Sequence, residues 1–194
     1  MMARFGFLAV VILALGACSS MPHPEGKPLP GMTFSHLKAL GLNVAARDIS
    51  VQPTDNQARF SQNLDEMTEI YLTQKLHPQG ERGKVVAALD ESSIVVVEEN
   101  SPNAAADFFG IGGFDVYKVA VKLRLEHYDD AGNLVYGTVV NAHRGIKISE
   151  HASIAEREHT QFEGLEQLFL MLDRRMNKVL VQDMKIGVGG VEVF

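Results

Sequence analysis

The sequence predicts an α+β fold, a two-layer sandwich in which a mostly antiparallel sheet carries two helices on one face. Three observations predict it. In residues 116–128, Val119, Val121, Leu123 and Leu125 alternate with Lys118, Lys122, Arg124 and Glu126. One side of such a strand is apolar and the other charged, as in a sheet covered on one face only. A second β-forming stretch, 134–149, follows after five residues that include Gly132, which suits a hairpin. Then Ser153-Ile154-Ala155-Glu156 forms a capping box. Phe162, Leu165, Phe169, Leu172, Met176 and Val179 follow it at spacings of three and four, predicting an amphipathic helix from 153 to about 183. That spacing also fits a coiled-coil seam, but a one-sided apolar sheet needs a helix to cover it.

Taken in order, the chain begins with Arg4 ahead of an apolar run over residues 5–15, then Leu15-Gly16-Ala17-Cys18. A basic flank, a short apolar core and small residues predict a signal peptide over 1–17. The run falls well short of the roughly 20 apolar residues that a membrane-spanning helix needs. Residues 18–40 read as a tether. Pro22, Pro24, Pro28 and Pro30 are four of the seven prolines in the chain. They favour an extended course of about 3.1 Å per residue, enough to hold a domain roughly 40 Å from a membrane. Phe34, Leu37 and Leu40 suit a short turn that docks on the domain.

The domain is expected over 41–186, in the order β-α-β-β-β-α. A first strand covers 42–52 and stops at Pro53. Asn63 caps a helix that runs to about His77 through Leu64, Met67, Tyr71, Leu72 and Leu76. Pro78, Gly80 and Gly83 break the chain. Residues 85–99 are strongly β-forming, with a turn or bulge at 90–93, so they make one bent strand or two short ones. A loop over 100–114 leads into the hairpin, whose second arm offers Val135, Val139, Ile146 and Ile148. The tail, 187–194, is Gly-rich and reads as an edge strand.

Composition narrows the function. Hydrophobic residues are 46% and charged residues 22%, ordinary for a globular chain. The net charge is −6, and loss of the leader with Arg4 makes the remainder more acidic. That balance argues against nucleic-acid binding and against a polybasic membrane patch. Cys18 is the sole cysteine, so no internal disulfide can form.

The Leu15–Cys18 pattern resembles a bacterial lipobox. The resemblance implies a diacylglyceryl group on the Cys18 thiol, cleavage before Cys18 and acylation of the new amino terminus. Several acyl chains give stable membrane attachment where one does not. Ser19 follows the cysteine where an Asp would signal retention in the inner membrane. By analogy with enterobacterial sorting, this implies the periplasmic face of the outer membrane. With the Pro-rich spacer and the element order, the chain resembles small envelope lipoproteins with a TolB-N-terminal-like fold. These include the ABC-transport auxiliary lipoproteins and the lipoprotein subunit of lipopolysaccharide export. The likeness is carried by Val116-Tyr117-Lys118-Val119-Ala120-Val121, by Tyr128-Asp129-Asp130-Ala131-Gly132 and by the helix opened at Ser153, and it covers about 42–183. The Gly110–Phe114 loop and the tail depart from it. The resemblance implies a non-enzymatic adaptor or scaffold of an envelope transport or assembly complex, with an envelope protein as partner.

Reactive residues are sparse. Counting back from the hairpin loop puts Val135 opposite His127 and Val119 opposite His143, so these histidines are not expected to share a metal. His151 and His159 lack the four-residue spacing of a helical ligand pair. Gly110-Ile111-Gly112-Gly113 lacks the Lys-Ser/Thr of a phosphate loop, and no Gly-x-Ser-x-Gly elbow occurs. Asp129 and Asp130 suit a solvated turn, and Glu156, Arg157, Glu158 and Glu163 suit the wet face of the long helix. No enzyme activity, metal or cofactor is therefore expected. Phe108, Phe109, Ile111 and Phe114 form a candidate contact for a partner or a lipid. They also support the alternative of a periplasmic lipid- or glycolipid-binding carrier.

Overall fold

A computed structural model describes residues 32–52, 60, 63–99 and 113–191. The elements are β1 (Ala39–Leu42), β2 (Ala46–Ser50), α1 (Leu64–Lys75), β3 (Leu76–Pro78) and β4 (Lys84–Glu99), then β5 (Phe114–Tyr128), β6 (Leu134–Ser149), α2 (Ile154–Lys178), a π-helical turn (Val179–Asp183) and β7 (Gly187–Val191). They form the expected α+β sandwich. A four-stranded sheet runs β2-β4-β5-β6 and a three-stranded sheet runs β3-β1-β7. The β1–β3 and β2–β4 pairs are parallel and the others antiparallel.

Both predicted helix starts are present. Asn63 accepts hydrogen bonds from the N–H groups of Asp65 and Glu66, and Ser153 and Glu156 make a reciprocal capping box. The two helices meet over one sheet face. The rings of Phe34, Tyr71 and Phe169 pack together there, with centroids 4.6–5.5 Å apart. Phe34 is set by a turn in which the Leu37 N–H donates to its carbonyl at 2.8 Å. Leu165, Phe169, Leu172 and Met176 point the α2 seam into this core, so the seam packs on the sheet.

Several boundaries differ from the sequence reading. The stretch 42–52 is not one strand: Leu42 and Val44 are buried, but beyond them the inward residues become Arg47 and Ile49. That one-residue slip in phase marks the point where the chain leaves one sheet for the other. Helix α1 ends at Lys75 and not near His77, because Leu76–Pro78 pairs with β1. Pro78, which has no N–H to donate, is tolerated on this edge strand. Residues 84–99 are one strand with a bulge at Asp90, which switches the inward set from Val85, Ala87 and Leu89 to Ser92, Ile94 and Val96.

The hairpin is as expected, but its register is shifted. His127 faces Tyr136 and His143 faces Ala120, because Val135 is an extra residue beside the His127/Tyr128 irregularity. On β6 the buried set is Val140, Ala142, Ile146 and Ile148, while Val135 and Val139 are exposed. Side chains alternate across a strand, so odd and even positions could not all face the core. The tail is an edge strand as far as it is described, with β7 antiparallel to β1. Gly164 lets α2 approach β6 closely: a Cβ there would lie 2.3 Å from Ile146 Cδ1.

Candidate functional site

Of the residues singled out in the sequence, Cys18, Phe108, Phe109 and Ile111 lie outside the described residues. Phe114 opens β5 and is 41% exposed. Register places it with Val116 and Lys118 on the outer sheet face, away from the helices, alongside exposed Val95 and Val97. The outer face thus carries an apolar patch at this end. The other end is a network of charges. Arg124 donates to Asp90 at 3.1 Å and to Glu126 at 2.8 Å, and the Tyr128 hydroxyl donates to Glu126 at 2.8 Å. These bonds hold the Glu126 carboxyl below the usual carboxylate range, the Tyr128 hydroxyl foremost and Arg124 next. The same bond raises the Tyr128 hydroxyl.

Polar groups buried between the helices form a second cluster, one that the sequence pattern did not reveal. Lys75 Nζ lies 2.8 Å from Asp173 Oδ1 and donates to the Lys38 carbonyl at 2.8 Å. The Tyr71 hydroxyl donates to the same Oδ1 at 3.1 Å, and Asn177 donates to Oδ2 at 2.9 Å. Burial, followed by the Asp173 charge, pushes the Tyr71 hydroxyl well above its ordinary value. Each member is engaged by another member, and the Lys75 side chain is only 2% exposed. The cluster therefore pins α1 to α2. At the start of α1, Ser92 of β4 donates to buried Asp65. The only sequence hints were a Lys and an Asp placed on otherwise apolar helix faces.

The histidines do not converge. By register and alternation His127 faces the helices and His143 the outer side. His159 pairs with Glu163 at 3.2 Å and His36 with Glu166 at 3.8 Å. Among the described residues, no group of three His, Cys, Asp or Glu side chains could hold a metal ion. Among the same residues, no helix is long and apolar enough to cross a membrane.

A third feature lies along β6, the last strand of its sheet. A groove of about 410 Å³ runs between residues Arg144 to Lys147 of β6 and the Thr160 to Gln167 stretch of α2. Two arginines bracket it. Arg175 donates to the backbone carbonyl of Asn141, and to its side-chain oxygen at 2.7 Å. Arg157 donates to the Ser149 carbonyl at 3.2 Å and to Asp115 at 3.1 Å. Arg157 therefore does not lie on the wet face of the helix, as its neighbours suggested. It ties the start of α2 to the end of the hairpin, and only tertiary structure brings Asp115 within its reach.

No protein-family model and no curated protein matches the chain. Among solved structures, the chain is similar to a minor lipoprotein from Acinetobacter baumannii at 12% identity, over 76% of this chain and 98% of that one, with a TM-score of 0.41. At that score the likeness carries no argument about what this chain does.

Proposed function

We propose that this chain is a lipid-anchored lipoprotein of the cell envelope, held at the periplasmic face of the outer membrane. It acts there as a non-enzymatic adaptor or scaffold of a transport or assembly complex. The observation that carries this reading is the Leu15-Gly16-Ala17-Cys18 pattern behind a short apolar run, followed by a Pro-rich spacer. Three acyl chains on Cys18 would make attachment stable. The domain supports the same reading: the buried Lys75–Asp173–Tyr71 cluster is occupied with itself, and among the described residues the β6 edge and the outer sheet face are surfaces open to solvent.

The test is crosslinking in intact cells followed by detergent extraction of membranes. A defined envelope protein should co-purify with the wild-type chain and fall to background with Cys18→Ala, which abolishes the anchor. Recovery of the chain alone from crosslinked membranes contradicts the adaptor reading. A second reading, a carrier of lipid or glycolipid, is favoured by the exposed apolar patch of Phe114, Val95 and Val97. It predicts bound lipid in native mass spectrometry of the detergent-exchanged protein, lost in Phe114→Asp. Lipid-free protein, or lipid retained in that variant, removes it.

A further inference from the structure

We infer that the first half of β6 is an association edge for a second copy of this chain, paired two-fold and antiparallel through residues 136–140. This goes beyond the adaptor reading and does not require the anchor. β6 is the last strand of its sheet. Bare strand edges invite pairing, and charges or covering elements suppress it. The second half of β6 is defended in this way: Arg175 donates to the Asn141 carbonyl, and Arg157 donates to the Ser149 carbonyl at 3.2 Å. The first half is not. Residues 133–142 include no charged side chain. Helix α2 ends at Lys178, less than one turn beyond Arg175. Leu134, Val135, Tyr136 and Val139 are 37–57% exposed, an apolar surface concentrated on one uncharged edge.

Backbone direction fixes how a second strand can pair. In an antiparallel strand, residues alternate between bonding to one neighbour and to the other. The Asn141 and Ser149 carbonyls point away from β5 toward the arginines, whereas the Glu150 N–H donates to Gly113 on the β5 side. The odd-numbered residues therefore face the edge. In the uncharged stretch these are Gly137 and Val139, and Val135 beyond them is the extra residue of the bulge. A two-fold axis at Thr138 pairs Gly137 with the second copy's Val139, and Val139 with its Gly137. Every edge-facing N–H and carbonyl of both residues then finds a partner.

The side chains select a second copy as the occupant. A Cβ at Gly137 would meet nothing closer than Leu134 Cδ2 at 3.8 Å, so Gly137 is an open seat walled by exposed Leu134. In this register the second copy's Val139, 47% exposed when alone, sits over that seat, and the contact is made twice. On the other side Thr138 meets Thr138 and Tyr136 meets Val140, both favourable kinds of cross-strand pair. Charge agrees. The same register sets His143 opposite Asn133, so the second copy's turn with Asp129 and Asp130 comes alongside the stretch that holds Arg144 and ends beside Arg175. Asp130 already lies 3.7 Å from Arg82, and the groove acids Glu163 and Glu166 are engaged with His159 and His36. A bilayer suits this end less well, because the acidic turn stands beside the apolar patch and envelope lipids carry negative charge. The paired stretch is far below the roughly 20–30 residues a side of a standard interface, so the dimer is weak and concentration-dependent.

The test uses the full chain with Cys18→Ser, in which an introduced cysteine is the sole thiol. Residues facing each other in a non-hydrogen-bonded pair have Cα atoms about 4.5 Å apart, within disulfide range. Under mild oxidation Thr138→Cys should form a disulfide-linked dimer at least tenfold faster than Lys122→Cys, which is exposed in the middle of the outer face. Val139→Glu added to Thr138→Cys should slow the linkage at least tenfold. So should Gly137→Leu, which fills the seat where the monomer has room, each in protein that keeps its circular dichroism. Equal linkage of Thr138→Cys and Lys122→Cys, or linkage that both added substitutions leave unchanged, overturns the proposal. Co-sedimentation with phosphatidylethanolamine–phosphatidylglycerol vesicles that Val139→Glu abolishes, without linkage of Thr138→Cys, assigns the edge to lipid and also overturns it. A linked dimer with no envelope partner in cells removes the adaptor reading alone, and a partner without the dimer removes this inference alone.

Discussion

Replacing Asp173 with alanine tests the packing of the two helices directly. Asp173 accepts from Lys75 at 2.8 Å, from Tyr71 at 3.1 Å and from Asn177 at 2.9 Å. The side chains of Lys75 and Asp173 are 2% and 12% exposed, so solvent screens this pair little. Asp173→Ala leaves an ammonium buried with only the Lys38 carbonyl for company. Removing one member of a buried ion pair costs about 3–5 kcal/mol. A domain of this size has about 5–15 kcal/mol in all, so much of its stability goes. At about 2–4 °C per kcal/mol, the midpoint should fall by roughly 6–20 °C. The assay is urea and thermal unfolding of Cys18→Ser protein with and without the substitution, followed by circular dichroism. Lys75→Met/Asp173→Leu should recover most of the loss, because well-packed apolar replacements of a buried pair are often neutral or stabilising. A loss below about 1 kcal/mol for Asp173→Ala, or a double variant as unstable as the single, refutes the reasoning.

Other consequences follow from the same geometry. Folding raises the Tyr71 hydroxyl above its ordinary value of 10.0. The folded state therefore holds that proton longer than the unfolded chain, and stability present below about pH 10 is lost as pH rises beyond it. The decline above pH 10 should be shallower in Tyr71→Phe, measured by urea unfolding between pH 8 and about 11. Gly164→Ala should gain helix propensity but lose more by crowding Ile146, whose Cδ1 would be 2.3 Å from the new Cβ. A net loss of about 1–3 kcal/mol is expected, with strong coupling to Ile146→Ala in a double-mutant cycle. Ser153→Ala removes the α2 cap and should cost about 1 kcal/mol by the same unfolding assay.

The sandwich was legible wherever local chemistry decides structure. The alternation of Val119 to Leu125 requires a covered sheet face, and the Ser153–Glu156 box requires a helix start, so both were readable without neighbours. Long-range pairing was less so. The split of the first strand was written in a phase slip between Val44 and Arg47, but a slip of one residue reads equally as imperfect alternation. The hairpin register moved by one because Val135 is extra, and an insertion opposite a continuous strand leaves no local mark. Arg157 read as solvated because its partner Asp115 lies in another element. The Lys75–Asp173 pair and the β6 edge arise only when distant segments meet, so neither has a sequence pattern of its own. The aromatic loop candidates Phe108, Phe109 and Ile111 lie outside the described residues, and Phe114 alone connects that prediction to the sheet.

The most direct test of the proposed role is the intact mass of the protein purified from membranes of a Gram-negative host. The account predicts a chain that begins at Cys18 and carries a diacylglyceryl thioether with an amide-linked acyl group, recovered in the detergent phase. A chain that still begins at Met1, or one that begins elsewhere with an unmodified Cys18 thiol and partitions into buffer, contradicts it.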